Sequence, residues 1–131
     1  MKNQKLLIEK LNSSFPNLQF SWEASPKWLE KQRFDIYCEK YNFAIEYDGE
    51  VHYEIIDHFG GEKQLELIKY RDNIKNKKCL NNKCVLFRVK YGYTDEDYTK
   101  LVEYINSLIE GNKLIPKLEE GSQITVIAPS K

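Results

Sequence analysis

The stretch FAIEYDGEVHY, residues 43–53, sets Glu46 and Asp48 among Ile45, Tyr47 and Val51, then continues through Gly49 to His52. In a strand successive side chains point to opposite faces, so the two carboxylates share one face and Ile45 and Tyr47 the other. In the run before it Arg33, Asp35 and Tyr37 also share a face, and an antiparallel partner brings Asp35 beside Glu46 or Asp48. Like charges so placed repel, and a buried unpaired carboxylate is costly or shifts its pKa, so three converging carboxylates require a cation. Oxygen-only ligation suits Mg²⁺ or Mn²⁺ rather than zinc, and such ions polarise a phosphoryl oxygen and help generate hydroxide. The expected chemistry is phosphodiester hydrolysis, with Asp35, Glu46 and Asp48 as the metal ligands.

A chain of 131 residues is of single-domain length, and 41% hydrophobic with 31% charged residues describes a globular protein. No apolar run reaches the length of a membrane span and the N-terminus MKNQKLLIEK has no signal-peptide core, so a cytoplasmic protein without membrane association is expected. Cys38, Cys79 and Cys84 match no zinc spacing and are expected to pack as thiols. Net charge is zero, yet Glu62 to Lys90 holds nine Lys or Arg against three acids, which makes that segment the expected contact for a polyanion.

The elements that must position these residues follow from periodicity. Leu7, Leu11 and Phe15 predict a helix over 3–13, and Phe20, Trp22 and Ala24 a short strand over 19–24, with Pro26 opening a helical turn. Residues 33–38 and 42–48 read as an antiparallel hairpin turning at Glu39-Lys40-Tyr41. After Gly60-Gly61, residues 62–81 lack Gly and Pro and form the long helix, ended by Asn81-Asn82. CVLFRV, residues 84–89, reads as an inner strand, and Thr94 with Asp97 as the cap of a helix stopped by Gly111. Tyr91 and Tyr93 are expected to close the core against that helix, the alternative being to stack on bases. Residues 1–112 form the expected domain, and 113–131 a C-terminal extension in which 124–127 is an edge strand or a frayed tail.

The runs RFDIYCEKYNFAIEYDGEVHY and YRDNIKNKKCLNNKCVLFRVKYGY together resemble the PD-(D/E)XK nuclease superfamily, in particular the branch of very-short-patch repair and phage homing or restriction-like endonucleases. The resemblance covers 33–93, about half the chain, through Asp35, IE-x-DG-x-x-H at 45–52, RD-x-x-K at 71–75 and L-x-R-V at 86–89. It implies an α+β fold with a restriction-endonuclease-like αβββαβ core, a mixed sheet flanked by helices. It implies metal ligation by Asp35 with Glu46 or Asp48, and His52 near the scissile phosphate as proton carrier or phosphate contact. The superfamily's lysine two residues after the acid is replaced here by Asp48, which leaves Lys75, Lys69 or Gln64 on the long helix to stand in. Some members take a further acid from the first helix, here Glu9.

The function these residues imply is a Mg²⁺- or Mn²⁺-dependent DNA endonuclease of phage, mobile-element or defence origin, with Asp35, Glu46, Asp48, His52 and Lys75 catalytic. Lys69, Arg71, Lys78 and Arg88 are the candidates for nucleic-acid contacts. Arg88 within an apolar run also needs an acidic partner from the cluster or the helix. A monomer is expected to nick one strand, whereas double-strand cleavage needs a homodimer or two events. RNA shares the same phosphate chemistry. The alternative is a catalytically inactive nucleic-acid-binding or interaction module of the same fold, for which the missing lysine speaks.

Overall fold

The computed structural model describes residues 2–49, 61–118 and 121–129. Among these, β1 (Ser21–Ala24), β2 (Phe34–Cys38), β3 (Phe43–Asp48), β4 (Val85–Lys90), β5 (Lys117–Leu118) and β6 (Ile124–Ile127) form one mixed sheet. The strand order is β1-β2-β3-β4-β6-β5. Helices α1 (Lys2–Ser14) and α3 (Asp95–Ile109) cover one face and α2 (Gly61–Asn81) the other. The chain is therefore an α+β protein with a mixed sheet flanked by helices, and its elements run α1, β1, β2, β3, α2, β4 in the expected order.

The hairpin forms where the spacing predicts it. Asn42 takes the left-handed conformation, φ 51°, that Asn tolerates better than most residues, and its N–H donates to Glu39 O. The Asn42 side chain then accepts from the Tyr37 hydroxyl and donates to Asn82 O at the end of α2, which ties the turn to the helix terminus. From β3 the chain crosses to β4 as a parallel partner, with Phe43 opposite Val85 and Glu46 opposite Arg88. A parallel pair needs a long connection, and α2 lies within it.

β3 is buried along its whole length and so carries two different layers. Phe43, Ile45 and Tyr47 join Leu7, Leu11, Phe87, Leu101 and Ile105 in the larger apolar core. Ala44 packs with Phe34, Cys79, Cys84 and Leu86 beneath α2. All three thiols are free and buried, as packing cysteines should be. Thr94 and Asp97 form a capping box at the start of α3, and Tyr93 stacks edge-on against Tyr47.

The C-terminal segment differs from the expectation. β6 is neither outermost nor frayed: it pairs with β4 on one side and β5 on the other, with Ile124 and Val126 buried in the larger core. Its four-residue alternation is short, and only the docking surface of β4 shows it to be structural. No helix among the described residues is long and apolar enough to cross a membrane.

Candidate active site

Glu46 is opposite Asp35 in the β2–β3 register, one pair beyond Ile36–Ile45. The two carboxylates are latched to each other's strand: the Asp35 N–H donates to Glu46 Oε2 and the Tyr47 N–H to Asp35 Oδ2, both at 2.7 Å. Glu46 is 6% exposed. Lys75 reaches down from α2, and its ammonium donates to Glu46 Oε1 and Arg33 O at 2.5 Å each, while its nitrogen lies 5.8 Å from the centroid of the Phe34 ring. Buried, oppositely charged and directly bonded, this pair is worth far more as positioning than a surface ion pair.

Burial, and next the Glu46 charge beside it, raise the Asp35 carboxyl from its ordinary value to about 7, against the lowering effect of the Tyr47 N–H and Lys75. Glu23 adds to that rise. It lies on β1 between Trp22, opposite Ile36, and Ala24, opposite Phe34, and so flanks Asp35 on its other side. One lysine thus serves a group of carboxylates that carries more negative charge than it can offset.

Asp48, expected as a third ligand, is bound elsewhere. A single Arg88 nitrogen, Nη1, donates to both Asp48 oxygens at 3.1 and 3.2 Å. Arg88 also donates to Asn76 Oδ1 and Asp72 O and pairs with the Asp72 carboxylate. Burial would lower the guanidinium pKa, but Asp48 and then Asp72 outweigh it and hold the charge. Arg88 is therefore a buried structural cation, which corrects its reading as a nucleic-acid contact. It has the acidic partner that its place in an apolar run required.

The other candidates separate by element. Lys69 and Arg71 are exposed on α2. Lys78 is tied to Leu29 O and to the Glu30 carboxylate. Glu9 is exposed on α1, across the sheet from Glu46, and cannot join the pair. His52 lies outside the described residues. Among the described residues no three His, Cys, Asp or Glu side chains are placed together to hold a metal ion. Lys75 and the Asp35 N–H engage the two Glu46 oxygens and the Tyr47 N–H one Asp35 oxygen, so a Mg²⁺-type ion, which takes one or two carboxylates and otherwise water, would be held through Asp35 Oδ1 and the remaining lone pairs of the pair. Residues that sequence reasoning missed are Glu23, whose strand register carries the signal, and Asn76, one turn of helix from Asp72 and visible only once Arg88 is placed.

No family model and no solved structure matches the chain. A curated relative, "Uncharacterized protein 307L" of Invertebrate iridescent virus 6, is 36% identical over 80 residues, 56% of this chain and 41% of the viral protein. The match thus spans less than half the length of that relative.

Proposed function

We propose that the protein is a metal-dependent nuclease that hydrolyses phosphodiester bonds in DNA, with Asp35, Glu46 and Lys75 as its working residues. The observation that carries this reading is the in-register Asp35–Glu46 pair on adjacent strands with the Lys75 ammonium delivered onto Glu46 from α2. In the resemblance to PD-(D/E)XK nucleases a lysine is required beside the acidic pair; Lys75 supports that requirement from another element. Its distance from Glu46 allows an ammonium to orient the carboxylate and to meet negative charge developing on a phosphate.

A bound Mg²⁺ or Mn²⁺ would supply a Lewis acid and a more acidic water. The chain's own part is to present the two carboxylates, held in place by the Asp35 and Tyr47 N–H groups, and to hold Lys75 against Glu46. In the reaction a water gives up a proton to solvent as its oxygen bonds to phosphorus, one phosphorus–oxygen ester bond breaks, and the departing oxygen takes a proton from solvent. A relative carried by a virus accords with a mobile-DNA setting, and the reaction would take place in the cytoplasm.

The Asp48–Arg88 pair favours a second reading, an inactive nucleic-acid-binding module, because it occupies the position of the family's lysine with an acid already neutralised. Supercoiled plasmid incubated with Mg²⁺ or Mn²⁺ separates the two. The wild type should nick it, and Asp35→Asn, Glu46→Gln and Lys75→Met should each lose about a hundredfold or more in rate. If the wild type leaves both plasmid and a single-stranded oligonucleotide intact with either ion and neither ion moves its thermal midpoint, the nuclease reading is wrong. DNA retention without nicking would then establish the module.

A further inference from the structure

Glu46 and Lys75 lie in the wall of a cavity of about 710 Å³ between α2 and the segment that enters β2. Among the described residues its cationic lining is Lys31, Arg33, Arg71, Lys75 and Lys78, against the carboxylates of Glu46 and Asp72, an excess of positive groups of five to two. Lys75 and Lys78 are held by Glu46 and Glu30, whereas Lys31, Arg33 and Arg71 are exposed. On the same lining Tyr70 is 64% and Leu67 40% exposed. Gln32, in the same lining, donates from Nε2 to Arg71 O and so ties the entry to β2 to α2.

Cations that track a backbone together with an aromatic face on which a base can stack are the requirements of an unpaired strand. A duplex turns its bases inward and offers Tyr70 no ring face. Glu46, 6% exposed, lies in the wall of this open cleft and must be reached from within it. We infer that the cavity takes a single DNA strand, one base stacked on Tyr70 and neighbouring phosphates on Arg33, Arg71 and Lys31. The inference deepens the nuclease reading by giving its substrate class, while the binding it describes stands without cleavage.

The test is fluorescence anisotropy of the full chain with a labelled single-stranded oligonucleotide and the corresponding duplex, in EDTA so that no cleavage intervenes. The strand should bind at least tenfold more tightly than the duplex. Tyr70→Ala should weaken strand binding about tenfold, Tyr70→Phe should stay within about twofold of wild type because the ring face is kept, and Arg71→Ala should reduce the salt dependence of binding. Tyr70 is exposed, and circular dichroism of both Tyr70 variants should match the wild type. Equal or tighter duplex binding, or wild-type strand affinity in Tyr70→Ala, overturns the inference. An RNA strand of the same sequence bound more than tenfold better than DNA overturns the assignment to DNA. Strand binding that survives while Mg²⁺ and Mn²⁺ reactions leave both plasmid and the single-stranded oligonucleotide uncut leaves this inference standing and removes only the nuclease reading.

Discussion

Asp35 keeps its proton to about pH 7 because burial and the adjacent Glu46 both disfavour a second negative charge. The sign of the consequence follows from linkage. Unfolded, the carboxyl loses its proton near 3.8; folded, it holds the proton to about 7, so between those values the folded state binds more protons and stability falls as pH rises, levelling off above 7. Asp35→Asn, which can still accept from the Tyr47 N–H, should flatten that slope. It should also be more stable than wild type at pH 8 by on the order of 2 kcal/mol, a figure discounted for partial exposure and read by urea denaturation across pH. In the same variant a Mg²⁺-dependent rise in thermal midpoint should vanish, whereas in the wild type it should be larger at pH 8 than at pH 5, since the ion competes with the proton. A wild type indifferent to Mg²⁺ at pH 8 would count against Asp35 as a ligand.

At the scale of elements, α2 delivers Lys75 to Glu46 and α3 closes the opposite face. Lys83, just past the end of α2, adopts φ 56°, and the Asn82 and Cys84 N–H groups return to Lys78 O and Cys79 O, which stops the helix as Asn81-Asn82 suggested. Lys75, Asp72 and Asn76 thereby sit over β2 to β4, and a shift of one residue in the helix would turn Lys75 away from Glu46. The cap of α3 does more than satisfy its own terminus: Asp97 also accepts from the Gln123 N–H and so joins the helix start to the approach to β6. Burial pushes the Asp97 carboxyl up, but the Thr94 and Gln123 N–H groups outweigh it and hold it below its ordinary value. Its stabilising effect is therefore present above the unfolded pKa and lost as pH falls through the folded one. Thr94→Ala should cost about 1 kcal/mol in chemical denaturation and leave plasmid nicking unchanged.

The molecule as a whole is asymmetric about its sheet. One layer, under α1 and α3, is filled with aliphatic and aromatic side chains; the other is apolar near Cys79 and Leu86 and becomes a charged network toward Asp48. Arg88 joins β4, β3 and α2 in that network through Asp48, Asp72 and Asn76. Removing one partner of such a buried pair leaves the other charge uncompensated, so Arg88→Met should cost about 3–5 kcal/mol. Arg88→Met with Asp48→Leu should recover a large part of that loss. Equal stability of the single and double variants would show that Asp48 needs no counter-charge. Exposed Lys69, by contrast, should be replaceable by Ala without measurable loss of stability.

Periodicity alone determined that α1, α2 and α3, the β2–β3 hairpin and the inner strand β4 exist, because each is written in local spacing: Leu7 to Leu11, the Gly- and Pro-free run to Asn81, Thr94 with Asp97. It also determined that Glu46 and Asp48 share a face opposite Ile45 and Tyr47, since alternation is a property of a single strand. Which charges meet was decided by the tertiary structure. Glu46 received Asp35 and Lys75 through the β2–β3 register and the helix phase, and Asp48 was taken by Arg88 from the parallel neighbour. β6 likewise became an inner strand only where β4 offered it an edge. Local sequence sets the direction in which a side chain points; pairing register and helix packing set what it finds there, and these depend on residues dozens of positions away.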